Sequence, residues 1–256
     1  MDLSLSGRLV EIGYRDVAVP TLDFIAMARQ AGYDGVELRT TQVPADADAP
    51  EASSIREALS AQDMRLTRLL TLKVNEESWR RFEAYVELAR ALGAETVGIW
   101  VSDPDWTRRA CERLAEFGLP LVLQTHSGEF IGTPEDCLAF HRTVGSDNLF
   151  YMYDPAHFHM ARKAYGPEVI RRFGSLIHCG GFQKFGAETD PEGRLRSFRL
   201  DWGSPRGVQF EPVIEGFRAI GMDNHITVIE PYVEGRDAAE RARTFSACLR
   251  GLLEAP

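Results

Sequence analysis

The stretch Ala31-Gly-Tyr-Asp-Gly-Val-Glu-Leu-Arg39 contains the unit from which the fold is built. A segment of helical character ends at Gly32, and a short apolar run from Gly35 to Arg39 follows, which predicts a buried strand. Glycine is favoured after a helix because that position often takes a positive φ. The stretch therefore predicts a helix, a turn and a parallel strand, in that order.

The same unit recurs along the chain. The glycines from Gly93 to Gly174 that end helical segments follow one another at intervals of 25, 27 and 29 residues. The interval from Gly32 to Gly93, of 61 residues, equals about two such units. These glycines are Gly32, Gly93, Gly118, Gly145, Gly174 and Gly221. The runs predicted as strands are Leu9 to Tyr14, Gly35 to Arg39, Leu66 to Leu72, Thr96 to Val101, Leu121 to His126, Leu149 to Asp154, Leu176 to Phe182 and Ile226 to Glu230.

Helical periodicity fills the gaps between these runs. Trp79, Phe82 and Val86 share one face, and Thr133-Pro134 has the residues of a helix start, with Thr as N-cap and Pro at the first helical position. Eight alternating strands and helices in 256 residues predict an α/β fold, a (β/α)8 TIM barrel, as a single domain over residues 1–256. An open doubly wound sheet is the alternative, but no G-x-G-x-x-G follows the first strand.

Composition excludes several classes of protein. The chain is 44% hydrophobic and its net charge is −9, which disfavours a dedicated nucleic-acid binder. No apolar run is long enough to cross a membrane, and the first residues do not resemble a signal peptide, so we expect a cytoplasmic protein with a small-molecule partner. Cys111, Cys137, Cys179 and Cys248 form no C-x-x-C pair, so we expect reduced thiols.

Polar residues gather where the predicted strands end. In a TIM barrel the chemistry lies at the carboxyl ends of the strands, so these side chains are expected to face one another. Five of the eight strands contribute, which is hard to explain by isolated structural groups. The residues are Glu37 and Arg39, Gln124 and His126, Asp154 and His157, His178, and Glu230.

Three segments together resemble a known family. The stretch from Ala31 to Arg39, Asp154-Pro-Ala-His157 and Val228-Ile-Glu-Pro231 resemble motifs of the sugar phosphate isomerase/epimerase family, the xylose isomerase-like barrels. The resemblance covers nearly the whole chain. It implies an isomerase or epimerase that abstracts a proton next to a carbonyl group of a small carbohydrate or polyol-derived substrate. A homo-oligomer would be unsurprising for this family.

The resemblance also implies a metal site. Family members bind one divalent metal through a Glu on strand five, an Asp on strand six, a His or Gln on strand seven and a Glu on strand eight. In this sequence these positions fall on Gln124, Asp154, Gly180 and Glu230. Gln124 lacks the charge and Gly180 lacks a side chain, so His178 is the local substitute. The implied ligands, Asp154, Glu230, Gln124 and His178, suit Mn²⁺ or Mg²⁺, with Zn²⁺ as a further option. The alternative is a degraded, metal-free site.

The catalytic assignment follows the same departures. Because Gln124 cannot act as a base, the predicted acid–base residues are Glu230 and His126, with His157 as a substrate-orienting group or alternative base. One carboxylate and one imidazole also suit β-elimination. A lyase or dehydratase acting on a keto-sugar or inosose-like compound is therefore one alternative, and a non-catalytic barrel is the other.

Five further residues are predicted to bind substrate. Glu37 and Arg39 can bond hydroxyl groups, although a structural Glu–Arg pair is equally compatible with the sequence. Trp100 can stack on a sugar face or pack in the interior. Lys184 and Arg206 lie near the two ends of the longest stretch without a regular pattern, where they either bind an anionic group or are simply solvated.

Overall fold

Eight parallel strands pair in sequence order and close on themselves in the computed structural model, which describes residues 1–47, 49–127, 130–192 and 194–254. The first strand pairs with both the second and the eighth, and this pairing completes the ring. Barrel strands one to eight are Asp2–Ser6, Gly35–Arg39, Arg65–Lys73, Val97–Trp100, Leu121–Gln124, Leu149–Tyr153, Ile177–Phe182 and His225–Val228.

Helices lie between the strands and pack their apolar faces on the barrel. Phe82, Val86 and Ala89, which share one helix face, are fully buried. The prediction of a single TIM-barrel domain is confirmed. The helices are Thr21–Gln30, Ala49–Ala61, Trp79–Leu92, Pro104–Ala115, Pro134–Val144, Pro155–Met160, Pro167–Phe173, Glu211–Ala219 and Ala238–Glu254.

The local signals at helix ends behave as predicted. Gly93 and Gly145 follow their helices with φ of 71° and 63°, the left-handed region in which glycine is favoured. The hydroxyl of Thr133 accepts a hydrogen bond from the Asp136 amide at 3.1 Å, with Pro134 in the first turn. These features depend on a few neighbouring residues, so the sequence shows them directly.

The first barrel strand is Asp2–Ser6, so the prediction of Leu9 to Tyr14 is wrong. Residues 9 to 14 instead contribute to a 3-10 turn and a short hairpin at the end of that strand. The true strand was missed because its apolar residues alternate with serines. Those serines face the barrel interior, where Ser4 Oγ lies 2.7 Å from Thr67 Oγ1 and Ser6 is fully buried.

The sequence pattern suggested that the long stretch from residue 183 to 207 is irregular, but the structure shows regular pairing within it. It contains an antiparallel hairpin in which Phe185 pairs with Arg199. Its many charged residues resemble those of a solvated loop, which hid the pairing. The short elements outside the barrel ring are the 3-10 turns Gly7–Val10 and Gly174–Leu176, and the hairpin strands Glu11–Ile12 with Asp16–Val17 and Phe185–Thr189 with Leu195–Arg199.

Two predictions from composition can be compared with the structure. No helix among the described residues combines the length and the apolar character that a membrane span needs. All four cysteines are free thiols; Cys111, Cys137 and Cys179 are buried, and Cys248 is partly buried.

Candidate active site at the carboxyl ends of the strands

Asp154 lies at the centre of the strand-end cluster. It follows barrel strand six, is fully buried and caps the helix Pro155–Met160 through a hydrogen bond from the Ala156 amide to Oδ1 at 2.9 Å. The Asp-Pro pair is a strong helix start, which explains the local geometry. Oδ2 accepts hydrogen bonds from the side-chain amides of Gln124, at 2.8 Å, and Gln183, at 2.6 Å.

The buried position changes the acidity of Asp154. Burial raises its pKa to about 7, and the hydrogen bonds from Gln183, Gln124 and the Ala156 amide oppose this rise. A carboxyl group with such a pKa holds or releases a proton near neutral pH. This is the property required of a general acid or base.

Gln183 is a site residue that the sequence reasoning missed. The prediction used Gly180 as the position on strand seven, but the strand continues to Phe182, so the residue at its carboxyl end is Gln183. Gly180 lies inside the barrel wall, where a β-carbon would meet the Phe217 ring at 2.9 Å. A polar residue directly after the predicted end of the strand was the available signal.

His178 lies at the opposite end of the barrel from Asp154. Its Nε2 is 3.1 Å from Nδ2 of Asn224, the residue before strand eight begins, and its ring packs against Phe150 and His225 at 5.8 and 6.4 Å. His178 is the second residue of strand seven, so it faces the amino ends of the strands. The structure therefore does not bring this predicted metal ligand to the cluster.

Glu230 follows strand eight, and donors from the protein surround its carboxylate. Oε2 accepts from Arg199 Nη1 at 2.8 Å, and Oε1 accepts from the Trp202 indole at 3.0 Å and the Lys184 amide at 3.3 Å. Arg241 lies 3.7 Å from Oε2. These contacts occupy the oxygens that a catalytic base would need.

The rings of His126 and His157 lie against each other beside Asp154, tilted by 35°. Their ring centroids are 3.9 Å apart, and His157 contacts Ser127 Oγ at 3.2 Å, Gln183 Nε2 at 3.3 Å and Asp154 Oδ2 at 3.7 Å. Burial lowers the pKa of His157 to about 3 and also lowers the pKa of His126. Both imidazoles are therefore neutral near pH 7.

A cavity of about 430 Å³ borders this cluster. Gln124 and His126 form part of its wall, and Arg68, Lys73 and Trp100 also line it, together with apolar side chains. An adjacent cavity of about 530 Å³ shares Lys73 and Trp100 with the first. The two cavities provide space for a small molecule next to Gln124 and His126.

Two of the predicted substrate-binding residues line these cavities. Trp100 is 41% exposed, borders both cavities and meets Tyr14 edge to face at 6.0 Å, so it is not packed in the interior. Arg39 borders the second cavity, where its Nε donates to Glu11 at 2.9 Å. Both side chains can therefore reach a bound molecule.

Glu37 has the structural role that the sequence left open. It is 1% exposed and accepts hydrogen bonds from Arg68, at 2.9 Å, and from Ser6, at 2.5 Å. Its partner across the barrel interior is mainly Arg68, with Arg39 farther away at 3.6 Å. Glu37 is not among the residues that line the two cavities.

Lys184 and Arg206 also point away from the cavities. Lys184 is 4% exposed, and its ammonium group donates to the Val208 carbonyl at 2.7 Å. Arg206 is exposed and lies over the Phe198 ring of the hairpin at 5.6 Å. Neither side chain borders the cavities described above.

The donor set does not fit the divalent ion that the resemblance implies, whether Mn²⁺, Mg²⁺ or Zn²⁺. Among the described residues, no group of three or more His, Cys, Asp or Glu side chains is placed to hold a metal ion. Asp154 faces amide NH₂ groups, and Glu230 faces the guanidinium of Arg199. Hard divalent ions prefer several charged oxygens, which this arrangement does not offer.

Comparison with known proteins gives a family and a fold. A family model described as the xylose isomerase-like TIM barrel matches residues 25–251. The comparison with curated proteins found no match. Solved structures of the same fold include a xylose isomerase domain protein from Alicyclobacillus acidocaldarius, with a TM-score of 0.77, 17% identity and 98% of each chain covered.

Two further solved structures are similar over almost their whole length. An L-ribulose 3-epimerase has a TM-score of 0.77 at 16% identity, with 99% of this chain and 94% of that chain covered. The probable 3-DHS dehydratase AsbF from Bacillus anthracis has a TM-score of 0.76 at 15% identity, with 98% of this chain and 99% of that chain covered. At such identities the similarity shows the fold alone.

Proposed function

The chain belongs to the xylose isomerase-like TIM-barrel family, and from this premise we propose that it is an enzyme of the isomerase or epimerase class. It moves a proton at a carbon next to a carbonyl group of a small carbohydrate-like or polyol-derived compound. The observation that carries the proposal is Asp154, a buried carboxyl group with a pKa of about 7, next to two neutral imidazoles, one of which, His126, lines a cavity.

The proposal gives the acid–base residues separate roles. His126 borders the cavity and takes the proton from carbon as a neutral base. Gln124 has two amide protons; one is used by Asp154, and the other is free for the oxygen that gains negative charge. Asp154 exchanges protons with the substrate side through His157, whose Nε2 lies 3.7 Å away and whose neutral ring takes a proton at one nitrogen as it gives one up at the other. Glu230 does not act as a base, because both of its oxygens accept hydrogen bonds within the protein; it holds the side chains around it in place.

The cavity lining supports the class of substrate. Trp100 offers an aromatic face to a ring or a carbon chain. Lys73 brings a positive charge to the same wall, where the charge of Arg68 is already balanced by Glu37, and no carboxylate is found among the described lining residues of this cavity. We infer that the substrate carries an acidic group, either a carboxylate or a phosphate, in addition to its carbonyl group.

Dehydration is the second candidate reaction. In β-elimination a base removes the proton next to the carbonyl group, and an acid protonates the leaving hydroxyl group. Asp154 and His126 provide such an acid and such a base, because near pH 7 the first still holds a proton in part and the second is neutral. One structure of the same fold is described as a probable dehydratase.

No step of this proposal passes through a metal ion, because the donor set does not fit one. Asp154 and Glu230 are each bonded by donors from the protein. The chemistry is therefore assigned to the side chains alone.

The decisive experiment is proton exchange with solvent. Ketoses, keto acids and polyol-derived ketones, with and without an acidic group, are incubated with the protein in D₂O and followed by NMR and mass spectrometry. We expect deuterium next to the carbonyl group for at least one compound, with mass otherwise conserved for isomerisation and water lost for dehydration.

The matched controls use two aspartates. Asp154→Asn should lower the exchange rate by about 100-fold or more. Asp105→Asn should leave the rate unchanged, because Asp105 is an exposed surface residue paired with Arg108. If no compound exchanges, or if Asp154→Asn exchanges as fast as the wild-type protein, the enzymatic proposal is wrong and a non-catalytic barrel is favoured.

A further inference from the structure

Arg199 occupies the side of the cluster where the resemblance implies a metal ion. Its Nη1 donates to Glu230 Oε2 at 2.8 Å, and its Nη2 lies 3.5 Å from Gln183 Oε1. The guanidinium carbon lies 4.4 Å from the centroid of the Phe185 ring. The guanidinium thus connects the residues at the ends of strands seven and eight.

The hairpin holds Arg199 in this position. Phe185 and Arg199 pair directly at its base. The Val208 amide donates to the Phe185 carbonyl at 2.8 Å, and the Leu200 amide donates to the Lys184 carbonyl at 3.0 Å. Because backbone hydrogen bonds attach both sides of the hairpin base to the chain leaving strand seven, Arg199 is aimed at Glu230 by the fold.

The charges at the strand ends differ from those of the implied metal site. The resemblance implies three carboxylates, but here only Asp154 and Glu230 are acidic, and Gln124 and Gln183 are neutral. Arg199 and Arg241 place two positive charges within 3.7 Å of Glu230. A divalent cation next to Glu230 would meet both guanidinium groups, and the repulsion at such distances is large.

The amide groups are arranged for an anion and not for a cation. Gln124 and Gln183 both direct Nε2 at the same oxygen of Asp154. A metal ligand would present its carbonyl oxygen instead. Hydrogen bonds run from Gln124 through Asp154 and Gln183 to Arg199 and Glu230, so both carboxylates are satisfied within the protein.

We propose that Arg199 replaces the divalent ion as the cation of this site, and that the protein works without a metal. Arg199 is a positioning residue: it holds Glu230 and Gln183, and through Gln183 it orients the carboxylate of Asp154. The catalytic part of this inference rests on the proposed function. The part that concerns metal exclusion does not, because it can be measured without a substrate.

The first test is titration with Mn²⁺ by calorimetry. The wild-type protein is expected to bind no Mn²⁺ up to about 1 mM, and the double variant Gln124→Glu/Arg199→Met to bind one equivalent with a Kd of about 100 µM or tighter. Arg196→Met is the control; Arg196 lies on the same hairpin, but its side chain is more exposed than that of Arg199, 60% against 36%, and it pairs with Asp190. It should behave like the wild-type protein.

Each result decides the proposal. One equivalent of Mn²⁺ bound by the wild-type protein with a Kd below about 1 mM would overturn it. So would a gain of binding in Arg196→Met, or a double variant that is folded by circular dichroism and still binds none. If the double variant does not fold, the single variant Arg199→Met takes its place, with a measurable gain of Mn²⁺ binding over the wild-type protein as the required result.

The second test uses the exchange reaction once a substrate is known. Treatment with a chelator should leave the rate unchanged, and Arg199→Met should lower kcat about 10-fold or more, with Arg199→Lys recovering part of the loss. A rate that the chelator abolishes and Mn²⁺ restores would contradict the inference. If no substrate is found, the proposed function fails while the titration still decides the role of Arg199.

Discussion

Arg68 Nη1 donates a hydrogen bond to Glu37 Oε2 across 2.9 Å inside the barrel, and both side chains are about 1% exposed. The ion pair joins strands two and three. Arg68 Nη2 also donates to the Val122 carbonyl on strand five at 3.1 Å. A β-carbon at Gly98, on strand four, would come within 2.3 Å of Arg68 Nε, so the glycine makes room for this side chain. The buried pair thereby links strands two, three and five, and Arg68 passes beside strand four at Gly98.

Removing one partner of this pair should be costly. We expect Arg68→Leu to lower the free energy of unfolding by about 3–5 kcal/mol, because it leaves Glu37 charged and unpaired in the interior. The double variant Glu37→Leu/Arg68→Leu should lose less, since no unpaired charge remains. Urea unfolding measures both, and Arg90→Leu, which breaks an exposed pair with Glu87, is the control with an expected loss below about 1 kcal/mol. Equal losses for Arg68→Leu and Arg90→Leu would refute this expectation.

His126 should matter for activity more than for stability. It is exposed and borders the cavity, so His126→Gln should lower kcat about 100-fold or more and leave the unfolding midpoint nearly unchanged. His141→Gln is the matched control, because His141 lies in the helix Pro134–Val144 and is not among the residues that line the cavities. Steady-state kinetics with the substrate found in the exchange experiment measure both variants. Equal activity of the two would remove His126 from the proposed mechanism.

Lys73 should decide the preference for acidic substrates. Lys73→Met should raise KM about 10-fold for a substrate with a carboxylate or phosphate and weaken the dependence of KM on ionic strength, because one attracting charge is lost. Lys163→Met, which removes an exposed lysine that borders neither cavity, should change neither quantity. KM measured at low and high salt tests this. An unchanged KM in Lys73→Met would argue against an anionic substrate held by this wall.

His225 should make the fold sensitive to acid. It is fully buried at the amino end of strand eight, where burial, followed by the charges of His178, Arg65 and Arg68, lowers its pKa to about 3. The unfolded chain takes up a proton below about pH 6.5 and the folded chain does not, so this contribution to stability is lost as the pH falls from about 6.5 to 3.

The loss from His225 amounts to roughly 1.4 kcal/mol per pH unit within that range. His225→Gln should therefore lose about 2 kcal/mol less than the wild-type protein between pH 7 and 5, as measured by denaturant unfolding. A wild-type protein and a His225→Gln variant with the same dependence of stability on pH would show that His225 does not cause it.

The cluster could be predicted from the sequence only in part. Gln124, Asp154 and Glu230 come together because each ends a strand or follows one within two residues, and the apolar pattern of these strands is plain. His178 does not join them, because the predicted position on strand seven was three residues too early, and Gln183 takes that place. A difference of a few residues along a strand moves a side chain from one end of that strand to the other.

The position of Arg199 beside Glu230 could not be predicted from sequence patterns. It meets Glu230 across 31 residues of chain, and nothing in the charged stretch around it predicts a hairpin that aims it at the barrel. Its neighbours Lys184 and Arg206 carry the same charge in the same segment, yet one is bonded to a backbone carbonyl and the other lies outside the cavities. Which of several like charges reaches a site depends on backbone pairing.

The sequence by itself determined the barrel, because repeated helix ends, strand lengths and apolar periods depend on interactions between near neighbours in the chain. It also marked the carboxyl ends of the strands as the place of chemistry. Only the tertiary structure decided which cation Glu230 faces, which amides bond Asp154 and that Glu37 is buried against Arg68. Those contacts join strands that are distant in sequence, and their free energies depend on burial and charge that exist only after the barrel has closed.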